Sequence, residues 1–362
     1  MKRLFVAVLL TASIVFLSSC GMTQKKARGS ETEILVVADS AEFAILETAL
    51  SQVFEKEIMT PQPETLFTLK RIPLEQLNSK KLTKNIIIAA PLNSNSSTAD
   101  YIKNVLDDNA KTEIKKGNQI NINQNDLWAK GQLVMILTAP TMEDLEFQIL
   151  RQGDNFIYAF QRASDARVKD LMYETDYTQE DQMGRLLKDF GWTMAVPIEF
   201  RIAKTSKEDG FVWIRRGLNT EIERWVFVHW IKNADSRYLN ADSIIAIRNR
   251  VTKEHYTTTD SAWVTLTEFT GTSEVNFNGR FALLTQGLWV TTDKYSGGPL
   301  INYTFLDEKT KTLYMLDGSV FAPRYKKRSL IQQMDVLLQT FKTQGEMKDE
   351  DVKHYLEKAD QK

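Results

Sequence analysis

A single cysteine, Cys20, among 362 residues most constrains how this chain can hold a fold together. One thiol closes no internal disulfide, and with three histidines and no second thiol a Cys/His zinc site is out of reach. The folded part must therefore be held by packing. The material is present: 43% hydrophobic residues, including 18 Phe, 11 Tyr and 7 Trp, against a charged fraction of 26%, exclude wholesale disorder. Lys and Arg number 46 and Asp and Glu 47, so the basic excess that draws a protein onto phosphate is missing, and no nucleic-acid partner is expected. No pattern asks for a cofactor or a metal.

The placement of that cysteine is informative. Lys2 and Arg3 precede a run from Leu4 to Leu17 that is apolar except for Thr11 and Ser13. The run is too short to cross a ~30 Å hydrocarbon core, which takes about 20 helical residues, so residues 1–19 read as an export signal rather than an anchor. Leu17, Ser18, Ser19 and Cys20 resemble the bacterial lipobox, in which signal peptidase II cuts before the cysteine and the thiol carries a diacylglycerol. Two or three acyl chains, at ~0.8 kcal/mol per buried methylene, make such attachment stable. Cys20 is thus the expected lipidation site and the membrane the expected partner. Residues 20–31 are polar and aperiodic and read as a tether. Lys25, Lys26 and Arg28 give it a basic cluster. In Bacteroidota lipoproteins an acidic cluster at this place resembles a surface-export signal, so the basic one points to the periplasmic face of the outer membrane.

In residues 32–180, apolar runs alternate with helical stripes. Ile34 to Ala38 leads into Phe43, Leu46, Leu50, Val53 and Phe54 at steps of three and four. Leu66 to Ile72, Ile86 to Ala90 and Gln132 to Ala139 read as strands, Ala99 to Lys116 as a helix, and Glu143 to Leu171 as a helix broken near Gly153. This grammar predicts an α/β domain of βαβ-like units. In residues 181–343 strands follow one another directly. Val196 to Ile202 alternates and carries Pro197, an edge feature. Phe211 to Arg215 continues, and Arg224 to Lys232 is apolar on both faces and hence central. A helix from Asp242 to Lys253 precedes three strands, Phe281 to Thr291, Leu300 to Leu306 and Thr312 to Leu316. A last stripe carries Leu330, Met334, Leu337 and Phe341. The second half is expected to be α+β, a mostly antiparallel sheet covered by helices, packed against the first. Most of the tryptophans lie at or after Trp192, which places the boundary between Tyr173 and Gly191. Residues 344–362 are dense in charge and read as a frayed tail.

Gly287-Leu288-Trp289, Gly297-Gly298-Pro299 and Phe321-Ala322-Pro323 with Lys326 and Arg328 resemble the C-terminal signature of the family catalogued as domain of unknown function 4837. The resemblance implies an envelope lipoprotein of Bacteroidota and brings no catalytic residues. Gln286 and Leu300 depart from its pattern, which tends to Arg before Gly-Leu-Trp and to an aromatic after Gly-Gly-Pro.

Catalytic signatures are absent: no Gly-x-Ser-x-Gly, no P-loop, no His-Glu-x-x-His. Ser296 to Pro299 reads as a tight connection between strands. His229, on a central strand, reads as a core histidine; His255 and His354 are the other two. The carboxylate pairs Glu221/Glu223, Asp307/Glu308 and Asp260/Glu268 could serve glycoside hydrolysis or simply be solvated. Trp213, Trp225, Trp230, Trp263 and Trp289 could stack sugars or fill the core; Trp263 and Trp289, near turn-rich sequence, are the best candidates for exposure, and with Tyr295 they form the candidate binding surface. Asp39-Ser40-Ala41, Asp242-Ser243-Ile244 and Asp260-Ser261-Ala262 resemble O-glycosylation acceptors of Bacteroidota. The expectation is a non-enzymatic, lipid-anchored envelope protein that binds an envelope protein or glycan. The alternatives are an envelope glycan or peptidoglycan hydrolase using a carboxylate pair, and a solute-binding lipoprotein with a large cleft between its halves.

Overall fold

The computed structural model describes residues 24–173, 177–216, 221–256 and 261–360. Cys20, the export signal and Asp260 lie outside the described residues. The N-terminal half runs β1 (Glu33–Val37), α1 (Ser40–Phe54), β2 (Glu57–Ile58), β3 (Glu64–Thr65), β4 (Thr68–Ile72), α2 (Leu77–Lys80), β5 (Asn85–Ala89), α3 (Ser97–Val105), α4 (Asp108–Lys115), β6 (Asn121–Asn125), β7 (Leu133–Leu137) and α5 (Met142–Met172). Its sheet has the order β4-β1-β5-β7-β6, parallel except for β6. The central strands β5 and β7 are buried at every position, as strands covered on both faces must be. α1 and α5 cover one face, over Leu46, Leu50, Phe54, Phe156 and Phe160, while α3 and α4 cover the other through Ile102 and Ile114.

The C-terminal half continues with α6 (Glu180–Phe190), β8 (Trp192–Thr193), β9 (Phe200–Ser206), β10 (Phe211–Arg216), β11 (Glu223–Lys232), α7 (Ala241–His255), β12 (Val264–Phe277), β13 (Arg280–Thr291), β14 (Gly297–Asp307), β15 (Thr312–Phe321), α8 (Arg328–Leu338), β16 (Lys342–Thr343) and α9 (Asp349–Ala359). An antiparallel sheet of order β12-β13-β14-β15-β11-β10-β9 carries it. One face packs on α8 through Ile301, Leu316, Met334 and Leu337, and the other on α7 through Phe227, Ile244, Ile247 and Met315. The fold is mixed α/β in the first half and α+β in the second, as the alternation of runs implied.

Several local expectations are corrected. α5 is unbroken at Gly153, because that glycine serves packing: a Cβ there would lie 2.6 Å from a methyl of Val53 on α1. The helix expected over Ala99 to Lys116 is two helices, the second started by Asp107, whose carboxylate accepts from the Ala110 amide at 2.7 Å. The edge strand near Pro197 begins only at Phe200. Gly297, Gly298 and Pro299 are already inside β14 rather than in its turn, since a side chain at Gly298 would collide with the Val320 carbonyl. The expected frayed tail contains α9, which packs on α6 with charges paired: Lys188 to Asp360 at 2.6 Å and Lys358 to Glu180 at 3.6 Å. β12 was not expected at all; its Thr, Ser and Glu residues offer little apolar alternation.

Candidate functional site

Between the two halves lies a cleft of about 940 Å³. One wall is α5, with Tyr158, Gln161, Arg162 and Asp165, together with the start of the β2–β3 hairpin, Glu57 to Met59. The other is the end of the C-terminal sheet, with Val275 and Phe277 of β12, Leu284 and Gln286 of β13, and Ile301 and Tyr303 of β14. α8 closes the floor with Arg328, Ile331, Gln332 and Asp335.

The floor is acidic and hydrogen-bonded. Tyr303 donates its hydroxyl to Asp335 Oδ1 at 2.7 Å, and Gln339 Nε2 donates to the same oxygen at 2.9 Å. Burial nevertheless disfavours the charge, and the Asp335 carboxyl is pushed up to about 6. The Tyr303 phenol is raised too, by burial and then by the neighbouring Asp335 charge. Asp165, on α5 across the seam, is likewise raised by burial, although Gln332 Nε2 donates to it at 2.6 Å. Gln332 and Asp335 stand one turn apart on α8, so the two carboxyls approach the same end of the cleft.

Behind Asp165 the polar chain continues into the N-terminal half. Ser164 accepts from Gln332 and donates to Glu31, each at 2.9 Å. Glu31 also takes Arg167 Nε at 2.8 Å and Lys84 at 2.6 Å. Burial opposes the Glu31 charge, but these two cations outweigh it and hold its carboxyl low. Glu64 caps α8 from the opposite half, accepting the backbone amides of Lys327 at 2.7 Å and Arg328 at 3.1 Å. Arg328 Nε donates to the Leu66 carbonyl at 3.0 Å. The β2–β3 hairpin thus acts as a latch between the halves.

The residues singled out in the sequence lie elsewhere. Trp289 is only 3% exposed, packed 5.2 Å from Trp225 in a cluster with Leu300, which corrects its expected exposure. β13 runs past its turn with that face against the sheet's covering elements, so nearness to a turn does not expose it. Trp263 is half-buried beneath Lys253, whose ammonium is 4.7 Å from the ring. Tyr295 is 90% exposed in the β13–β14 turn. None of the three lines the cleft. Glu223 is paired with Arg215 at 2.8 Å, Glu221 faces Arg324 at 3.2 Å, and Asp307 caps its own turn by accepting from Lys309 and Thr310. His229 is a core histidine: its Nδ1 lies 2.9 Å from the Gly210 carbonyl, and burial lowers its pKa to about 4. His255 stacks on Phe211 at 4.0 Å. Asp165, Tyr303, Gln332 and Asp335 were missed; an acid inside the apolar stripe Met334, Leu337, Leu338 was the available signal. Among the described residues no group of three or more His, Cys, Asp and Glu could hold a metal, and no helix is long and apolar enough to cross a membrane.

No curated protein matches the chain. Solved structures match weakly. The Saccharomyces cerevisiae Ran-binding protein Mog1p is 12% identical with a TM-score of 0.28, over 42% of this chain and 90% of that one. A Bacteroides thetaiotaomicron protein is 11% identical with a TM-score of 0.26, over 45% of this chain and 47% of its own. Likenesses this low establish neither fold nor function. Family models do match each half: residues 27–173 match a domain of unknown function, DUF8532, and residues 179–340 match a domain of unknown function, DUF4837. The C-terminal segment, residues 179–340, is therefore similar to the DUF4837 family, whose signature its Gly-Leu-Trp and Gly-Gly-Pro motifs resemble.

Proposed function

We propose that this chain is a lipid-anchored envelope protein that binds an envelope component, and that the binding site is the cleft between its halves rather than the tryptophan-rich surface. The anchor rests on Cys20 and the apolar run before it, and the basic cluster at Lys25, Lys26 and Arg28 favours the periplasmic face of the outer membrane. The site rests on one observation: a cleft of about 940 Å³ lined by both halves, with a largely apolar wall on the sheet side and polar groups converging from α5 and α8. Its size falls within the roughly 300–1,000 Å³ of ligand pockets. The side chains of Gln161 and Gln286 line it with no hydrogen-bond partner among the described residues, leaving their side-chain amides free to read a ligand.

A photo-crosslinking residue placed in cells at Gln161 or at Gln286 is expected to give a discrete adduct in the membrane fraction, while the same group at the exposed Glu308 gives none. Equal labelling at all three positions, or none at any, would overturn the cleft. Cys20→Ala should leave a folded protein that no longer sediments with membranes; continued retention would sink the anchor.

One observation favours the hydrolase alternative. Asp335, which lines the cleft and whose carboxyl burial raises, could donate a proton to a leaving oxygen, the acid half of glycoside hydrolysis. On that reading the protein releases reducing ends from purified peptidoglycan and Asp335→Asn does not.

A further inference from the structure

The seven-stranded sheet ends beside the cleft on an open strand, and that edge is built differently from the others. β9, at the far end of this sheet, carries Arg201 and Lys204, and its pairing to β10 is bulged. In the N-terminal sheet, edge strand β4 carries Lys70 and Arg71, and edge strand β6 is only five residues long. Cations, bulges and shortness are the devices by which edges avoid pairing with another chain. β12 is 14 residues long and contains no Lys, Arg or Pro. Its irregularity lies between Leu266 and Thr270, after which Thr270 to Phe277 pairs with β13 in unbroken register. Among the described residues the outward backbone groups of this stretch have no partner.

The two faces of that edge differ. Val275 and Phe277 face the cleft with Leu284, opposite Ile58 and Met59. Glu274 lies on the opposite face, cross-strand from Leu283, and is exposed. Glu274, Glu268 and, on the cleft rim, Glu57 are exposed and have no ion-pair partner among the described residues.

We propose that the component bound in the cleft is an extended polypeptide segment that adds to β12 as a further strand, with alternate residues apolar and basic. The inference rests on the cleft being the binding site. Backbone pairing to Thr270–Phe277 supplies the register. Alternate side chains then fall on opposite faces, so the apolar set enters the cleft and the basic set lies beside Glu274.

The test uses the full chain purified in detergent and a fluorescent peptide of alternating Lys and Val, roughly nine residues long, the reach of one strand. Two further peptides are methylated on the backbone nitrogens of all Lys or of all Val residues. In an added strand only alternate N–H groups point at the neighbour, so one methylated set should bind about tenfold or more weakly while the other stays within about twofold. Glu274→Lys should weaken the Lys/Val peptide and favour a Glu/Val one. Equal effects of the two methylated sets, or no binding of the parent peptide, would overturn the inference. Crosslinks from Gln286 that carry no peptide would end the polypeptide assignment and leave the cleft standing; no crosslink from either cleft position would end both.

Discussion

Asp335→Asn isolates what a half-buried acid in the cleft floor costs the fold. The carboxyl accepts from Tyr303 and Gln339 on one oxygen, and burial, the largest cause, pushes it from 3.8 up to about 6. An acid whose folded pKa lies above its unfolded one binds more protons when folded. Its contribution is therefore whole below about pH 4 and is lost as pH rises through about 6. The displacement corresponds to about 3 kcal/mol at neutral pH. Asn keeps an oxygen in place for Tyr303 and Gln339 and carries no charge to bury. The variant should match the wild type near pH 3.5 and be more stable by up to about 3 kcal/mol near pH 7.5, with the gap opening between about pH 4 and 6.

The wild-type curve alone would hide this. His229 has its pKa lowered from 6.5 to about 4, so its contribution is whole above 6.5 and is lost as pH falls. Over the same interval the two groups pull in opposite directions. The quantity to measure is the difference between variant and wild type in urea unfolding, followed by tryptophan fluorescence at matched pH, because every other titration cancels in it. A difference that does not change with pH, or a variant less stable at pH 7.5, would refute the argument that burial controls Asp335.

Gly153→Ala should destabilise by about 1–3 kcal/mol in the same assay, although alanine is the better helix former, because its Cβ would press on Val53. Glu64→Ala should cost about 1–2 kcal/mol and speed hydrogen exchange in the first turn of α8, whose amides at Lys327 and Arg328 lose their acceptor. Trp289→Ala should cost about 3–5 kcal/mol without weakening the labelled peptide, as its ring is buried away from the cleft.

What the sequence made legible is what local pattern encodes. The buried runs at Ile34 and Ile86 and the amphipathic stripe from Phe43 to Phe54 are decided by neighbours a few positions away, and they gave the βαβ character of the first half. Arg224 to Lys232 was readable as central because both its faces are apolar. β12 was not, since an edge strand half in water needs no apolar alternation, yet Asn278-Gly279, both at positive φ, marks its hairpin with β13. The cleft could not be read at all. Glu64, Asp165 and Asp335 come from three distant segments, and each looks like an ordinary helix or loop charge until packing brings them to one seam.

That seam is also where the physical case for function is strongest. A chain with no disulfide to rely on holds its halves together by packing, and an asparagine at position 335 would keep the Tyr303 and Gln339 hydrogen bonds without a carboxyl that burial drives up to about 6. Asp335 stands on the face of α8 that Arg328, Ile331, Gln332 and Gln339 turn to the cleft, while Met334 and Leu337 on another face serve the core. An acid held against its own solvation, at the floor of the space between the halves and within a turn of the glutamine that holds Asp165, gives up stability that its bonds to Tyr303 and Gln339 only partly offset. Such a cost is expected where a ligand, rather than the fold, sets the choice of residue.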